Sequence, residues 1–465
     1  MMGRQVEQGS LFYEFRLEDR VPPDHLLRRV DRVLDLSFVH EVMAEHYSAI
    51  GRPSVDPVLM VRMLLVGYLY GVRSERRLCE EVDLNLAYRW FCRLGLDGRV
   101  PDHSTFTKNR HGRFRDSKLM RLVFERVVKQ CLRLGIAEVR HVAVDGTHVN
   151  ADASKDKFVD RADELPREGA SRAVRDYFVD LDEAVPDLPG TTRHPPKAVS
   201  TTDPGDALST KHGKRCFAYG MNRQVRAANA MIDTASSIVL DVEAAPARFA
   251  DESEAARRMV ERTKERHGQV PDVLAADTAY GSGHFLSWAE GHGIEPHAPT
   301  ASDRKGRDLV PIKEAFAYDE ERDLYVCPQG ALLERLKASR RTGREAWSDG
   351  LAMIYRAKVK DCMPCPLRPT CCPTTSPRRI KRSVHEPARE RARGRVGTPG
   401  FERSRRLRLR IERLFACIKH NDGFARVRLR GRRGADEQFV LAATARNLKT
   451  MAKLLGGPIP APAGA

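Results

Sequence analysis

Several acidic residues of this sequence lie in segments whose apolar residues predict a strand or a helix. The first is in the stretch HVAVDGTHV, residues 141–149, whose β-branched and apolar residues predict an extended strand. Asp145 interrupts that run, although strands avoid Asp and a buried carboxylate is costly unless it is paired or bound to a cation. Either the strand ends here and the chain turns at Gly146, or the charge of Asp145 holds something.

A second carboxylate repeats this arrangement. Asp277 ends the apolar run of DVLAADTAYGS and is followed by Thr278, Ala279 and Tyr280. Functional groups in α/β sheets cluster at strand ends, so the two strand-borne carboxylates are predicted to converge. Each of them taken alone also fits an ordinary turn or cap residue.

A third carboxylate lies in RSRRLRLRIERLFACIKH, residues 403–420, where apolar residues recur at helical spacing and predict a core-facing stripe. Arg408, Glu412 and Lys419 are four and seven residues apart, so they share a second face beside that stripe. The alternative is a solvated Arg–Glu pair, which contributes only about 0.2–0.5 kcal/mol to helix stability.

Taken together, the three positions resemble the catalytic triad of bacterial insertion-sequence DDE transposases. The flanking sequences VDGT and DTAYG, and the spacing R-x3-E-x6-K from Arg408 to Lys419, carry the resemblance. That family's third signature begins with Tyr three positions before its Arg. This chain has Arg405 there, which replaces an aromatic hydroxyl with a cation that can still meet phosphate.

The resemblance implies an α/β, ribonuclease-H-like mixed sheet with helices on both faces, and catalysis by Asp145, Asp277 and Glu412. Two divalent ions about 3.5–4 Å apart stabilise the attacking and leaving oxygens of a phosphodiester. Mg²⁺, or Mn²⁺, suits carboxylate ligands because it takes oxygen donors and retains several waters. Asp145 would bridge both ions, with Asp277 and Glu412 each completing one side, while positive side chains meet DNA phosphates. The DNA-binding residues expected on this basis are Arg405, Arg408 and Lys419.

Five of the ten cysteines fall between residues 300 and 400. Cys327, Cys362 and Cys365, together with Cys371, have spacings that suit a zinc site with four thiolate ligands. Cys372 is an equally placed fourth ligand. The alternative is a set of scattered reduced thiols.

The predicted helices and strands that must position these residues fall into several parts of the sequence. The N-terminal part reads as all-helical, with Asp56 and Pro57, Ser74 and Ser104 as helix starts; Ser104 is predicted to cap a long helix to Leu134. Three of the earlier helices fit either a DNA-binding helix-turn-helix module or a plain bundle. The predicted domains are a helical N-terminal domain at 1–135, a catalytic core at 136–300 with a polar insertion at 151–212, a Cys-rich and basic insertion at 301–400, the rest of the core with the Glu helix at 401–455, and a disordered tail at 456–465.

Within the predicted core, apolar runs at 139–149, 215–225 and 231–244 predict three strands, the first three of the sheet and antiparallel. A helix, a strand, a helix and a last strand follow. That order predicts a mixed α/β sheet.

Charge indicates the partner. Lys and Arg number 80 against 63 Asp and Glu, and a net charge of +17 is typical of chains that bind nucleic acid. The longest apolar run, LMVRMLLVGYLYGV, contains Arg62 and is too short to cross a bilayer, and the N-terminus has no signal-peptide core. We therefore expect a cytoplasmic, nucleoid-associated protein that binds double-stranded DNA, with no membrane partner. Pairing two DNA ends favours a homodimer in the complex.

The resulting prediction is a transposase that binds element ends, cleaves there and joins the DNA strands to a target. Two alternatives stay open: a metal-dependent nuclease of the same superfold that does not transfer strands, and a zinc-stabilised DNA-binding repressor without catalytic activity.

Overall fold

The chain forms an α/β structure, as predicted, and a computed structural model describes most of it. The described residues are 15–48, 50–51, 54–152, 157–159, 164–182, 199–204, 207–208, 224–246, 249–300, 315–336, 347–348, 352–374 and 376–455. Within these ranges no helix is long and apolar enough to cross a membrane. The predicted disordered tail at 456–465 lies outside the described residues.

The N-terminal part is helical, as the sequence predicted. Its helices are α1 Leu17–Arg20, α2 Leu26–Val33, α3 Val39–Met43, α4 Pro57–Leu69, α5 Glu75–Leu84, α6 Leu86–Phe91, α7 His103–Asn109 and α8 Leu119–Arg133. Local capping chemistry sets two of the starts. The Asp56 carboxylate accepts the Leu59 N–H ahead of Pro57, and the Ser74 hydroxyl accepts the Arg77 N–H.

The predicted long helix from Ser104 to Leu134 is wrong in two respects. Asp102, not Ser104, caps α7, because its carboxylate accepts the N–H of Ser104. The helix then breaks: Gly112 departs from helical φ/ψ, and Lys118 adopts a left-handed conformation (φ +54°) just before α8. Side-chain spacing alone does not reveal such a break.

Two cations in helices α4 to α6 have structural contacts. Arg62 is buried and donates to the Asp31 carboxylate at 2.7 Å and to the Phe91 carbonyl at 2.8 Å. Arg89 is buried too, and donates to Asp83 and to backbone carbonyls of the following loop. Both guanidinium groups therefore hold the bundle together and are not on a solvent-facing basic surface.

The central part contains a mixed sheet. Its elements and the short segments around it are β1 His141–Asn150, β2 Phe158–Val159, α9 Arg172–Asp182, β3 Val199–Ser200, β4 Ala207–Leu208, β5 Gln224–Asp233, β6 Val239–Pro246, α10 Phe249–His267, β7 Val273–Ala275, α11 Gly283–Gly291 and β8 Glu295–His297. The strand order is β6-β5-β1-β7-β8, and β4 extends the pairing at the start of β5. β1, β5 and β6 are antiparallel, whereas β7 and β8 run parallel to β1.

The second and third predicted strands have different boundaries in the structure. Most of the predicted strand at 215–225 lies outside the described residues, and β5 begins only at Gln224. The predicted single strand at 231–244 is a hairpin. The Asp233 carboxylate accepts the N–H groups of Ala235 and Ser236, and Ser237 takes a positive φ of 64°, so the chain turns there.

A second sheet occupies much of the predicted Cys-rich insertion. Its elements are β9 Ala317–Asp319, β10 Leu324–Val326, β11 Leu332–Arg335, β12 Trp347–Ser348, β13 Ala352–Ala357, α12 Val359–Cys362, α13 Arg368–Cys371 and β14 Arg379–Ser383. The described strands pair antiparallel and enclose a small core of their own around Leu333 and Tyr355.

The chain ends in three helices, α14 Glu386–Arg395, α15 Pro399–His420 and α16 Gly431–Leu454. α15 packs on β1, β7 and β8, while α16 packs on β6 and also on α2, α4 and α8 of the N-terminal bundle. A single hydrophobic core consequently runs from Val21 to Ala452. Helix α16 therefore packs against both the N-terminal bundle and the mixed sheet.

Candidate active site

The parallel pairing of β1 with β7 sets the distance between the first two carboxylates. Ala143 pairs with Ala275, so two residues further along each chain Asp145 and Asp277 lie side by side where β7 has ended. Asp277 caps a short turn of helix at 278–280, and its Oδ1 accepts the Ala279 N–H at 2.8 Å. The cap fixes the direction of this carboxylate while leaving it beside Asp145.

The third carboxylate reaches the site from α15. Arg408 donates from Nη1 to Asp145 Oδ2 at 3.2 Å and from Nη2 to Glu412 Oε1 at 3.0 Å. One guanidinium therefore lies between a carboxylate on the sheet and one on the helix. The Arg408–Glu412 pair is more than a solvated i,i+4 contact, because its cation is shared with a residue 263 positions away.

Asp145 is in an electrostatically unfavourable place. Its pKa is raised to about 6, first by burial, next by the charge of Asp277 and to a smaller extent by Glu412. Arg408 and the Gly146 N–H, which is 2.8 Å from Asp145 Oδ1, act in the opposite direction. The excess negative charge at this position remains only partly compensated by the protein, and a multivalent cation would compensate it further.

The remaining predicted cations differ in their surroundings. Lys419 donates from Nζ to Thr147 Oγ1 at 2.5 Å, so it lies on the same face of β1 as Asp145. Arg405 instead pairs with Glu402 at 2.7 Å, and its side chain is 67% exposed. The structure brings Arg408 and Lys419 to the carboxylates and leaves Arg405 on the outer surface of α15.

A pair of residues that the sequence did not single out holds α15 against the sheet. His297, at the end of β8, is 2.7 Å through Nδ1 from the buried Ser404 hydroxyl and 2.9 Å through Nε2 from Glu295. Ser404 precedes Arg408 by one helical turn. The only sequence signal was a serine on the core side of an arginine-rich helix, and its partner lies 107 residues away.

Donor chemistry decides which metal the carboxylates fit. Asp145, Asp277 and Glu412 offer hard oxygen donors to Mg²⁺ or Mn²⁺. The pKa of Asp145 is raised first by burial and next by the charge of Asp277, and a bound ion would oppose both effects. In the described parts of the chain, no group of three or more His, Cys, Asp or Glu side chains is already arranged around one metal position. The Arg408 guanidinium lies between two of the carboxylates.

The cysteines gather elsewhere. All five cysteines of the second sheet region line one cavity of about 210 Å³, and they are Cys327, Cys362, Cys365, Cys371 and Cys372. The sulfur of Cys327 accepts the N–H groups of Gln329 and Ala331, each at 3.3 Å. Burial raises the pKa of Cys371 to about 11, so that thiol is neutral unless a metal binds. These soft donors around one cavity fit zinc.

Two segments of the chain match family models of known proteins. Residues 15–112 match the model described as Transposase domain (DUF772), and residues 326–452 match the model described as Transposase DDE domain. These two segments are therefore similar to transposase domains. The resemblance to insertion-sequence DDE transposases, inferred from the sequence, is confirmed.

The DDE-domain match contains the cysteine cavity and the α15 residues Arg408, Glu412 and Lys419, whereas Asp145 and Asp277 precede it. No curated protein matches the chain. A solved piggyBac transposase synaptic complex with hairpin DNA is similar over 95% of this chain and 78% of that chain, with 8% identity and a TM-score of 0.35.

Proposed function

We propose that this chain is an insertion-sequence transposase that binds the ends of its element, cleaves phosphodiester bonds there and joins the strands to target DNA. The observation that carries the proposal is the convergence of Asp145, Asp277 and Glu412 from β1, the end of β7 and α15. Three carboxylates from elements far apart in sequence would repel one another without a function for their charge. The two transposase-domain matches support the same conclusion.

The carboxylates would hold two divalent ions, Mg²⁺ or Mn²⁺, with Asp145 shared between them. When bound, such ions stabilise the attacking and leaving oxygens of an in-line displacement. Arg408 would exchange its contacts with Asp145 and Glu412 for a DNA phosphate once cations neutralise the carboxylates. Its guanidinium is already within 3.2 Å of both carboxylates, so a small movement suffices.

DNA would approach along α15. Lys419, which contacts Thr147, would meet a phosphate beside the reacting bond, and the exposed Arg405 would meet one further along the strand. The net charge of +17 supports a long DNA contact. The strand order β6-β5-β1-β7-β8, with the first three strands antiparallel and the rest parallel to β1, supports the proposed ribonuclease-H-like core. We propose a homodimer in the DNA complex, because two element ends must be held together.

The cysteine cavity would hold one Zn²⁺. Cys327, Cys362 and Cys365 would supply three thiolates, and Cys371 or Cys372 the fourth. Since the second sheet has only a small core, this ion would stabilise the sheet and take no part in cleavage.

Cleavage and strand joining, measured on DNA carrying the element ends with Mg²⁺, test the proposal. Asp145→Ala should abolish both activities while DNA affinity is kept or slightly raised, because a negative charge near phosphate is removed. Glu412→Gln keeps the shape of the side chain but removes the charge, and should lower the cleavage rate by about a thousandfold, the effect of losing several kcal/mol of charge stabilisation.

The same assay separates the alternatives. Cleavage without joining would indicate a nuclease, and tight DNA binding without either activity in the wild-type chain would indicate a repressor. Wild-type nicking by Asp145→Ala or by Glu412→Gln would refute the carboxylate assignment.

A further inference from the structure

Between α15 and α16 the chain forms an arginine segment, residues 425–430, that the proposed mechanism has not used. Val427 and Leu429 of this segment are buried, with exposed fractions of 0% and 4%. The alternate positions are exposed arginines, namely Arg426, Arg428 and Arg430. The buried residues therefore anchor the segment and leave its three guanidinium groups toward solvent.

The arginine segment lies on the same edge of β1 as β7. Because β5 pairs with one edge of β1 as far as Asn150, the bridge between Asn150 and Arg426 uses the other edge. The Asn150 N–H donates to the Ala425 carbonyl at 3.0 Å, and the Asn150 carbonyl accepts the Val427 N–H at 2.8 Å. Among the described residues, no strand pairs with this edge between the end of the β7 pairing and Asn150, and Asp145 lies in that stretch.

Cations follow β1 from Asp145 to the end of the strand. Arg408 contacts Asp145, and Lys419 contacts the strand two residues further on. Arg426 is bridged to the last residue of β1, five residues beyond Asp145. A strand rises about 3.3 Å per residue, so this bridge is about 17 Å from Asp145, the length of about five base pairs of B-DNA. DNA that follows β1 from the carboxylates would reach the arginine segment at that distance.

Two polar side chains hold the backbone of the arginine segment. Gln438 of α16 is buried, and its Oε1 accepts the backbone N–H of Arg428 at 2.9 Å and Nη2 of Arg73 at 3.0 Å. Arg73 also donates from Nη1 to the Gly423 carbonyl at 2.8 Å, and its guanidinium lies over the Phe424 ring. The segment is thus positioned before any ligand arrives, which lowers the entropic cost of binding.

The positive charge of the arginine segment is only partly compensated. The Asp152 carboxylate lies 3.3 Å from Arg426 and 3.2 Å from Arg430, so two guanidinium groups share one negative charge. In the described part of the chain, Arg428 has no carboxylate partner. Burial lowers the pKa of Arg73, and the charge of Arg428 acts in the same direction. A fixed surface with excess positive charge is suited to a polyanion.

We propose that the arginine segment binds the DNA backbone about five base pairs from the scissile bond, with Arg426, Arg428 and Arg430 contacting phosphates. The inference rests on the proposed function, because it takes the carboxylates as the site of cleavage. Guanidinium groups bind phosphate through paired N–H donors, and Asp152 would release its two arginines to the DNA. Phosphate contacts fix the position of a duplex without reading its sequence, so the segment would determine which bond lies at the carboxylates.

Salt-dependent binding of the full-length chain to element-end DNA, measured by fluorescence anisotropy without added divalent ions, tests this surface. Replacing all three arginines with Gln should lower the slope of log affinity against log salt by about 2.7, or 0.9 for each phosphate. Binding to unrelated DNA of equal length should weaken by the same factor, since phosphate contacts do not read sequence. A wild-type slope in this triple Gln variant, or a loss confined to element-end DNA, would overturn the proposal.

Two controls separate charge from position. The triple Lys variant keeps the three charges at the same positions, and its slope should equal that of the wild type. Arg428→Gln and Arg140→Gln each remove one charge, but Arg140 precedes the other end of β1 and pairs with Asp272 at 3.1 Å. Arg428→Gln should lower the slope by about 0.9 and Arg140→Gln should not change it. Equal slopes in these two variants would refute the surface.

Asp152→Asn tests the arginine segment in the opposite direction, which a loss of fold cannot imitate. Removing this carboxylate frees Arg426 and Arg430, so the affinity for DNA should rise by about two- to fivefold, the equivalent of one exposed ion pair. Asp272→Asn, which frees Arg140 instead, should bind DNA like the wild type. An unchanged or lower affinity in Asp152→Asn would count against the proposal.

Cleavage of the same DNA by the wild type with Mg²⁺ separates this inference from the proposed function. If the wild type cleaves and the triple Gln variant keeps the wild-type slope, the arginine segment is refuted and the proposed function stands. If the slopes change as expected but the wild type neither cleaves nor joins strands, the proposed function is refuted and the segment remains a DNA-binding surface. A wild type that does not bind DNA would refute both.

Discussion

The two candidate metal sites of this chain are built in opposite ways. The carboxylates Asp145, Asp277 and Glu412 stand on β1, β7 and α15, which belong to the large core shared by the whole chain. The cysteine cavity belongs to the second sheet, whose own core is small and includes Cys362 and Cys372 themselves. The large core thus positions the carboxylates, whereas the cysteines themselves form part of the small core that stabilises the second sheet.

The charges of the two sites differ as well. Asp145 and Glu412 share the Arg408 guanidinium, so a cation bound at the carboxylates would replace a contact that already exists. The thiols that line the cavity are neutral where burial raises their pKa, as at Cys371, and zinc binding must release protons. Removing divalent ions from the carboxylates should therefore abolish catalysis, whereas removing zinc from the cysteines should lower the stability of the second sheet.

The largest effect that we expect in stability comes from the cysteines. Replacing Cys362 and Cys365 with Ser should lose about one Zn²⁺ per chain and destabilise the second sheet by several kcal/mol, because structural zinc sites contribute directly to folding. Metal analysis of the purified protein, together with protease sensitivity between residues 315 and 383, measures both. Cys417→Ser, on α15 and outside the cavity, is the control. A double variant that keeps its zinc would contradict the assignment.

A smaller effect of opposite sign is expected at Asp145. The folded chain retains a proton at Asp145 up to about pH 6, whereas the unfolded chain releases it near 3.8. The stabilisation by that proton is complete below about pH 4 and is lost as the pH rises through 6. At pH 7.5 without added Mg²⁺ or Mn²⁺, Asp145→Asn should thus be more stable than the wild type by about 2–3 kcal/mol.

Chemical denaturation at pH 4 and at pH 7.5 measures this difference. The advantage of Asp145→Asn should vanish at pH 4 and should shrink at pH 7.5 when Mg²⁺ is added, since only the wild type binds it there. A wild-type chain that is more stable than the variant at pH 7.5 without divalent ions would contradict the raised pKa.

The smallest effect concerns a single DNA contact beside the carboxylates. Lys419→Ala should weaken binding to element-end DNA and lower the slope of log affinity against log salt by about 0.9, the value for one phosphate. The fold should be unchanged, since Lys419 is only partly buried and lies one residue before the end of α15. Lys264→Ala, an exposed lysine on α10, is the control of equal charge. An unchanged salt slope in Lys419→Ala would show that Lys419 contacts Thr147 but no DNA phosphate.

Sequence reasoning succeeded where the determining interactions are local. The caps at Asp56 and Ser74 act within three residues, and strand and helix periods show directly in the apolar pattern. It failed where local signals compete. Asp and Ser are both residue types that commonly cap helices, and only the folded chain shows that Asp102 rather than Ser104 caps α7.

The sequence predicted candidate residues for the site but not their contacts. The helical spacing placed Arg408 beside Glu412, while its second partner, Asp145, depends on how α15 lies against β1. Asn229 and Glu252, whose side chains lie beside Gly146, belong to no sequence motif. Their proximity to Gly146 results from the packing of β5 and α10, and no pattern within either segment encodes it.

The position of α16 in the chain has a consequence for biosynthesis. This helix leaves the ribosome after the other described elements, and yet it packs on α2, α4 and α8 of the N-terminal bundle as well as on β6. Arg110 of the N-terminal part is buried and donates to Glu437 of α16 at 3.3 Å, so this ion pair forms only after α16 has been made. The nascent N-terminal bundle accordingly exposes apolar surface until α16 has been made, and a premature stop before residue 431 leaves that surface uncovered.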